Sequence, residues 1–345
     1  MSAFWRIARL SVVLAWAIGR LMASVAVIVL NYKTPELTID CLRSLQIQVS
    51  DRAGRHVIVI DNASGDGSAE KIEAEIAKNS WDAWVRLIQS SVNGGFAAGN
   101  NLGIHSENAD RYLLLNSDTI VRPGAIDKLM ETMDQDSDIG LVVPRLIGTD
   151  GSRQVSCFRY KSPISEMLAA ARTGPIDRVF SRYRVPLPNA EPSMNVDWAS
   201  FACILIRKAV FEDIGHLDDG FFMYFEDIDY CRRARKAGWK IRICPEAQVV
   251  HLHGQSSSLE ADKAARRRLP RYQFESRSRY FGKYYGGPFG VILANLFWMI
   301  GRAISWLRET AGNKTPHTNV GEMADNWVNW WNPKRRSSYS SPCKR

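Results

Sequence analysis

The chain has 345 residues, of which 46% are hydrophobic and 23% charged, a composition that excludes a disordered chain, a collagen-like fibre and a polytopic membrane protein. Its six cysteines are scattered without a Cys-x-x-Cys pair, so neither a zinc ribbon nor a disulfide framework is indicated. The net charge of +9 comes from the C-terminal part: residues 263–283 carry +7 and residues 334–345 carry +5, which leaves −3 for the rest.

The N-terminus carries an uncharged run, Leu10 to Gly19, that is too short to span a bilayer. We expect residues 1–23 to be a leader, either an amphipathic anchor or an over-long start before Met22. A signal peptide is disfavoured, because its cleavage site would cut into the first predicted strand.

Short apolar runs then alternate with helical patterns, which predicts an α/β fold with a parallel sheet covered on both faces. The predicted strands are Val25 to Leu30, His56 to Ile60, Val85 to Ile88, Tyr112 to Leu115, Leu141 to Val143, Cys203 to Ile206 and Ile241 to Cys244. The predicted helices are Pro35 to Val49, Ser68 to Ala77, Phe96 to His105 and Gly124 to Met133. The polar stretch from Thr149 to Ser193 is predicted to be an irregular insertion or lid.

Polar or glycine-rich segments follow the strands directly, and in open α/β sheets ligands bind at the carboxyl ends of the strands. These segments are Asn31-Tyr32, Asp61-Asn62-Ala63-Ser64, Asn93-Gly94-Gly95-Phe96 and Asn116-Ser117-Asp118. Together they offer hydrogen bonds to a base edge, and glycines such as Gly95 would let the backbone approach a sugar or phosphate. The dinucleotide fingerprint and the P-loop are both missing from the sequence, which disfavours dinucleotide binding and triphosphate hydrolysis.

Acidic residues follow two of the apolar runs. Asp118 could bind Mg²⁺ or Mn²⁺ together with a substrate diphosphate; alternatively, it caps the helix after Pro123. The aromatic run Phe221 to Phe225 leads into Glu226 and Asp227. Burial beside aromatic rings raises the pKa of a carboxyl group and makes it a better base, although such acids also favour a helix N-terminus.

His251 follows another apolar run and could be a nitrogen ligand beside a metal-bound diphosphate.

Taken in chain order, the segments just described, over residues 25–258, resemble glycosyltransferase family 2, notably its rhamnosyltransferase-like members. The resemblance implies the GT-A fold, a Rossmann-like mixed sheet flanked by helices. It also implies a nucleotide-diphosphate sugar donor, a divalent cation and inversion at the anomeric carbon.

The resemblance further implies roles for single residues. Asp61 would contact the nucleobase, Asp118 would be the remaining carboxylate of an Asp-x-Asp-type metal motif, and His251 would complete the metal site. Asp227 of the Glu226–Asp227 pair would be the catalytic base. The other residues expected to bind the donor nucleotide are Asn31, Tyr32, Asn62, Gly95 and Asn100.

Two positions depart from the family pattern. Asn116 replaces the first acid of the metal motif, and Phe201 stands where similar sequences have a glycine. The Phe201 ring would fill space near the acceptor. We expect Trp198 and Asp197, just before it, to contact the acceptor too, although core packing would explain them equally well.

The basic, aromatic C-terminal part suggests a membrane surface. We predict a catalytic domain over 24–262, a helical membrane-associating segment over 263–312 and a disordered tail over 313–345. Phe289 to Leu307 has the aromatic character of a helix at the bilayer interface, or is a helix packed on the domain. We therefore expect a cytoplasmic protein, peripheral on an anionic inner membrane face, with no nucleic-acid partner.

The resulting hypothesis is transfer of a sugar, rhamnose from dTDP-rhamnose first, to a hydroxyl of a glycan or lipid-linked glycan in cell-surface polysaccharide synthesis. A sugar-phosphate nucleotidyltransferase would share fold and metal, but it needs a glycine-rich basic loop where Asn31-Tyr32-Lys33-Thr34 stands. An inactive membrane-associated scaffold subunit would have lost the acids at 118, 226 and 227, all of which are present.

Overall fold

The fold is built on an eight-stranded sheet with helices on both faces. The computed structural model describes residues 24–252, 259–313, 315–337 and 339. The predicted leader over 1–23 lies outside this range. The strands of the sheet are β1 Val25–Asn31, β2 Arg55–Asp61, β3 Val85–Gln89, β4 Arg111–Asn116, β5 Thr119–Val121, β6 Ile139–Ile147, β9 Cys203–Arg207 and β10 Lys240–His251. Two short strands, β7 Cys157–Phe158 and β8 Trp198–Ala199, pair outside it. The helices are α1 Pro35–Val49, α2 Ser68–Lys78, α3 Gly95–Ser106, α4 Ala125–Met133, α5 Pro163–Ala171, α6 Gly174–Val179, α7 Lys208–Ile214, α8 Glu226–Lys236, α9 Leu259–Ala264, α10 Arg271–Tyr284, α11 Pro288–Ala311 and α12 Glu322–Asp325.

The sheet is mixed, with the order β3-β2-β1-β4-β9-β6-β10-β5. All seven predicted strands form, and the mixed sheet that the family resemblance implies is confirmed. The parallel arrangement expected from the alternation of strands and helices does not extend to β9 and β5, which run antiparallel to their neighbours. The reason lies in the connection between β6 and β9. The chain leaves β6 at Ile147 and re-enters the sheet at Cys203, which pairs with Leu115 near the carboxyl end of β4. Because the chain leaves β6 and enters β9 at the same edge of the sheet, β9 runs antiparallel to β6 and β4.

The central strands are buried on both faces. Along β1, Val25, Val27 and Val29 pack with α1 and α4 on one side, whereas Ala26 and Ile28 join the apolar cluster on the other side. Successive side chains point to opposite faces of a strand, so a continuous apolar run predicts burial on both. This explains why these strands could be located in the sequence.

The stretch from Thr149 to Ser193 is more ordered than predicted, because it contains α5 and α6. A reciprocal capping box starts α5: Ser162 Oγ accepts from Ser165 N at 3.1 Å, and Ser165 Oγ lies 2.8 Å from Ser162 N. Helix α5 packs closely on α11, where a Cβ added to Gly301 would lie 2.2 Å from the Met167 carbonyl oxygen. The insertion thus supports the C-terminal helix.

The prediction of disorder over 313–345 is wrong for residues 315–337. Arg268 forms a two-pronged ion pair with Asp325 at 2.6 and 2.9 Å, and Ser278 Oγ donates to the Val328 carbonyl at 2.6 Å. The polar residues that suggested a solvated tail are bonded to α10 and the segment before it. The boundary at residue 262 stays a prediction, although Tyr280 and Val291 belong to the same apolar cluster as the sheet.

Candidate active site

Two cavities that share Ser200 and Asp227 lie at the carboxyl ends of the parallel strands, one at β1 and β4 and the other at β6 and β10. The tyrosine cavity, of about 180 Å³, is lined by Leu30, Tyr32, Thr34, Phe96, Asn116, Ser117, Ser200, Phe201, Ala202, Met223, Tyr224, Glu226 and Asp227. The histidine cavity, of about 380 Å³, is lined by Leu146, Gln154, Val155, Phe158, Trp198, Ser200, Asp227 and His251. Residues distant in sequence therefore meet in one crevice, as the strand-end rule predicts.

The first side of the crevice, which we name the sheet wall, comprises residues 31–34, 61–64 and 116–118. Asn31 lies opposite Asp61 in the β1–β2 register and donates to its Oδ1 at 2.7 Å. Ser64 adds a hydroxyl bond to Oδ1 at 2.6 Å and a backbone bond to Oδ2 at 3.0 Å. Asn31 is fully buried, so its side chain positions Asp61, and the direct nucleotide contact predicted for it has no exposed atom to make it.

Asn62, Gly95 and Asn100 also serve the framework rather than an open surface. Asn62 Nδ2 donates to Asn93 Oδ1 and the Gly95 carbonyl, and Asn100 Nδ2 donates to the Phe96 carbonyl at 2.9 Å. Both side chains are almost completely buried. The expected contacts of their side chains with the nucleotide are therefore not supported by their positions.

Gly95 allows a close approach, but to protein rather than to a phosphate. Its φ is +84°, and a Cβ there would lie 1.9 Å from the Phe222 carbonyl oxygen. That carbonyl accepts from Phe96 N at 2.7 Å. Glycine is needed here because it tolerates positive φ and has no side chain to hold the chains apart.

Tyr32 is the member of the sheet wall with an open ring, 42% exposed at the mouth of the tyrosine cavity. Below it, Thr34 Oγ1 and Ser117 Oγ lie 3.2 Å apart. An exposed ring above small hydroxyl groups can stack on a base while the hydroxyls bond to a sugar or phosphate.

Asp118 and His251 are brought together by the pairing of β5 with β10. His251 pairs with Thr119, and Leu252 N donates to the Asp118 carbonyl at 2.8 Å. The His251 Nε2 atom then lies 3.5 Å from Asp118 Oδ1, and Asp118 is 1% exposed. Asp118 does not cap the following helix, since α4 is preceded by Gly124.

This pair offers a donor set that suits Mg²⁺ or Mn²⁺. A carboxylate oxygen and an imidazole nitrogen 3.5 Å apart can reach one cation, since such ions bind oxygen ligands at about 2.0–2.1 Å. Within the described ranges, no cluster of three or more His, Cys, Asp or Glu side chains is suited to a metal. Most coordination positions would thus fall to substrate oxygens, as is common for Mg²⁺ at phosphate sites.

The opposite side, which we name the loop wall, comprises residues 221–227. Tyr224 and Phe225 both have positive φ, 67° and 71°, immediately before α8 begins at Glu226. Helix α10 holds this segment: Ser276 Oγ donates to the Met223 carbonyl at 2.9 Å, and the Tyr280 ring packs on Phe225. Asp227, which follows this turn directly, lines both cavities.

Burial shifts both acids of the loop wall in the direction that the aromatic run predicts. It raises the pKa of Asp227 to about 7, despite the hydrogen bond that Asp227 Oδ1 accepts from Ile228 N at 2.8 Å. Burial, and then the neighbouring Asp227 charge, raise the pKa of Glu226 well above its usual value. Glu226 Oε2 has no hydrogen-bond partner in the part of the chain that the structure describes. Of the two acids, Asp227 is thus the more exposed, and Glu226 is buried beside it.

The three residues expected at the acceptor occupy different positions. Phe201 lines the tyrosine cavity, and Trp198 lines the histidine cavity, with its ring stacked on Phe158 at 4.1 Å between ring centroids. Asp197 is instead engaged in the framework, since it accepts from Tyr160 N and pairs with Arg235. Its contact with the acceptor stays a prediction that its position does not support.

Sequence reasoning missed Ser200, which faces both cavities, and Gln154, which hydrogen-bonds to His251. Ser200 stands directly before the unusual Phe201, and this proximity was an available signal. Gln154 lies in the stretch interpreted as irregular, where neither periodicity nor a motif marks it.

Comparison with known proteins gives the family. The family model described as "Glycosyltransferase like family 2" matches residues 23–270. The low-salt glycan biosynthesis hexosyltransferase Agl10 of Haloferax volcanii is 28% identical over 236 residues, 67% of this chain and 68% of that protein. The N-acetylglucosaminyl-diphospho-decaprenol L-rhamnosyltransferase of Mycobacterium tuberculosis is 28% identical over 217 residues, 58% of this chain and 67% of that protein.

Solved structures agree on the fold. The mannosyltransferase PcManGT from Pyrobaculum calidifontis, in complex with GDP-Man and Mn²⁺, superposes with a TM-score of 0.51 at 16% identity, over 92% of this chain and 84% of that one. GalNAc-T7 with UDP, GalNAc and Mn²⁺ gives a TM-score of 0.51 at 13% identity, over 90% of this chain and 59% of that one. With its mixed sheet and its rhamnosyltransferase relatives, the chain therefore belongs to glycosyltransferase-like family 2, in the rhamnosyltransferase-like branch, and is a glycosyltransferase of the GT-A fold.

Proposed function

We propose that this enzyme transfers a sugar from a nucleotide-diphosphate donor to an acceptor hydroxyl with inversion at the anomeric carbon. The observation that carries the proposal is the lining of the histidine cavity. Asp227 and His251 line the same space, and His251 lies beside Asp118. A base and a site for the diphosphate's counter-charge are thus close enough to serve one donor.

The reaction is a single displacement. Asp227 accepts the proton of the acceptor hydroxyl, whose oxygen bonds to the anomeric carbon while the bond from that carbon to the diphosphate oxygen breaks. Attack from the face opposite the leaving group inverts the centre. Burial and the neighbouring Asp227 charge raise the pKa of Glu226 well above its usual value, whereas Asp227 has a pKa of about 7 and lines both cavities, so Asp227 is the proposed base.

Asp118 and His251 are proposed to hold the divalent cation, Mg²⁺ or Mn²⁺. When bound, such an ion neutralises charge that develops on the leaving diphosphate. Tyr32 is proposed to bind the nucleoside from the sheet wall, with Thr34 and Ser117 nearer the sugar and phosphates. Asp61 is as buried as Asn62, and Asn31 and Ser64 engage both of its carboxylate oxygens, so its contact with the nucleobase stays a prediction that its position does not support. Phe201 and Trp198 are proposed to border the acceptor.

For substrates, we propose dTDP-rhamnose as donor and a glycan or lipid-linked glycan as acceptor, in cell-surface polysaccharide synthesis. The support is similarity to a rhamnosyltransferase that acts on a diphospho-decaprenol-linked sugar and to a dTDP-rhamnosyl transferase, RfbF of Shigella flexneri, 24% identical over 205 residues. A thermal-shift panel of nucleoside diphosphates, with and without Mn²⁺, would identify the base. A ligand at 100 times its Kd adds about 2.7 kcal/mol to the free energy of unfolding.

The metal role is tested by calorimetry with dTDP and Mn²⁺ on Asp118→Ala. We expect metal-dependent nucleotide binding to be lost, whereas Asp82→Ala, which removes an exposed acid far from the crevice, binds normally. Unchanged binding in Asp118→Ala would contradict the assignment.

We further propose that the enzyme works at an anionic inner membrane face, peripherally. The +7 of residues 263–283 gives limited support, because several of these cations pair with acids of the protein, among them Arg277 with Glu166 and Arg279 with Asp218. The apolar outer face of α11 gives more. Among the described residues, α11 is the one helix long and apolar enough to cross a bilayer, although a core helix passes the same test.

The outer face of α11 exposes Phe289, Leu296, Ile300 and Leu307, spaced so that they form one stripe. Such a stripe fits the interface between headgroups and acyl chains, with Trp306 beside it. We expect Leu296→Asp with Ile300→Asp to abolish flotation with phosphatidylcholine–phosphatidylglycerol vesicles. Ile47→Asp, at an exposed apolar position on α1, should float like the wild type. Flotation of the double variant would contradict this surface.

A further inference from the structure

Gln154 makes hydrogen bonds to both the backbone and the ring of His251. Its Nε2 donates to the His251 carbonyl oxygen at 2.9 Å, and its Oε1 lies 3.1 Å from the ring Nδ1 atom. Gln154 is itself fixed, because its backbone N–H donates to the Leu146 carbonyl of β6 at 2.9 Å. The amide is therefore held at a defined place beside the imidazole.

These two bonds determine which ring nitrogen of His251 carries the proton. A carbonyl oxygen only accepts hydrogen bonds, so the NH₂ of Gln154 must face the backbone carbonyl and its Oε1 must face the ring. Because Oε1 also only accepts, the hydrogen lies on Nδ1 and the neutral imidazole keeps its lone pair on Nε2. Nε2 is the atom 3.5 Å from Asp118 Oδ1.

We propose that Gln154 is a positioning residue that holds His251 in the Nδ1–H tautomer, so that its Nε2 lone pair and the Asp118 carboxylate are directed at one cation. This inference rests on the proposed metal role of Asp118 and His251. Without Gln154, the Nε2–H tautomer could donate to Asp118 instead. That hydrogen bond would engage both groups and compete with the cation.

The test uses the full chain in three variants. Gln154→Leu removes both hydrogen bonds at similar size, whereas Gln154→Glu keeps an oxygen that can accept from Nδ1–H. Gln46→Leu changes an exposed glutamine on α1 and is the matched control. The tautomer is read from imidazole ¹⁵N resonances of the metal-free protein, with His251→Gln to assign the signal. Mn²⁺ affinity is measured separately from the electron paramagnetic resonance signal of free Mn²⁺.

We expect wild-type His251 to be the Nδ1–H tautomer and Gln154→Leu to shift it to Nε2–H. Loss of a partner of this kind lowers metal affinity by about 10–100-fold, and we expect that loss in Gln154→Leu. Gln46→Leu should match the wild type, and Gln154→Glu should lie closer to it than Gln154→Leu in both measurements.

The outcomes separate the inference from the function on which it rests. An unchanged tautomer and Mn²⁺ affinity in Gln154→Leu would overturn the role of Gln154 alone, and so would a loss in Gln154→Glu as large as in Gln154→Leu. Wild-type protein that shows the Nδ1–H tautomer but binds no Mn²⁺ would overturn the metal role of His251, and with it the purpose assigned to Gln154.

Discussion

The sheet wall and the loop wall hold their functional groups by different means. Asn31 and Asp61 are fixed by the register of two central strands and by bonds between them. The loop wall has no such register, and its two residues with positive φ each cost about 1–2 kcal/mol. It is held from outside the sheet, by α10. The proposed catalytic base thus depends on a C-terminal helix rather than on the register of the sheet.

Removing the base from the loop wall should give the largest effect. General-base catalysis contributes about 10²–10⁴-fold, so Asp227→Asn should lose that much turnover. Donor affinity should be unchanged, because the sheet wall and Asp118 are untouched. Steady-state kinetics with nucleotide titration checks both expectations. Turnover near that of the wild type would remove Asp227 from the role.

Gly95 is where the two walls touch, so a side chain there should disturb both. We expect Gly95→Ala to lower the free energy of unfolding by about 3 kcal/mol, from backbone strain and the clash with the Phe222 carbonyl. Gly67 has a similar φ, +87°, but open space around its Cβ position. Gly67→Ala should therefore cost only about 1 kcal/mol. Equal losses in urea denaturation would show that the clash is absent.

The pH dependence should report the burial of the loop wall. Because burial raises the pKa of Asp227 to about 7, the carboxyl is protonated, and inactive as a base, below that pH. We expect kcat to fall about tenfold per pH unit below the pKa and to level off above it. A rate that stays constant well into the acid range would mean that Asp227 is exposed to water.

The ion pair of Arg279, on α10, with Asp218, which lies shortly before the loop wall, should give the smallest effect when it is broken. Burial by itself would raise the pKa of Asp218, but hydrogen bonds from Arg279 and Lys283 lower that pKa to about 2. Arg279→Gln should loosen this attachment and lower kcat by about tenfold, since displacement of a catalytic group by about 1 Å can cost 10²-fold. Arg271→Gln removes the exposed cation of a different ion pair of the same helix, with the buried Glu275, and should leave kcat unchanged. Equal kcat values for the two variants would contradict the role of the Arg279–Asp218 ion pair in holding the loop wall.

The two walls also differ in how far the sequence predicts them. The strands and the polar residues at their ends follow from apolar runs buried on both faces, and the confirmed positions of Asn31 and Asp61 at adjacent strand ends illustrate this. The role of Gly95 could not be predicted, because the group that it approaches, Phe222, is distant in sequence. The role of Gln154 could not be predicted for the same reason, because its partner, His251, is also distant in sequence.

The basic cluster shows the limit most clearly. Its charge suggested lipid headgroups, but Arg277 pairs with Glu166, and Arg279 and Lys283 pair with Asp218. Composition records only the net charge of a segment, whereas the acids that neutralise it are brought there by the fold. What remains for a membrane is the exposed stripe of α11, which composition does reveal.

The most direct test is a crystal structure with Mn²⁺ and a nucleoside diphosphate. We predict that the cation contacts Asp118 and His251, and that the diphosphate lies in the space bordered by the Asp227 carboxyl. A nucleotide bound away from the tyrosine and histidine cavities, or an Asp227 carboxyl turned away from them, would contradict the account.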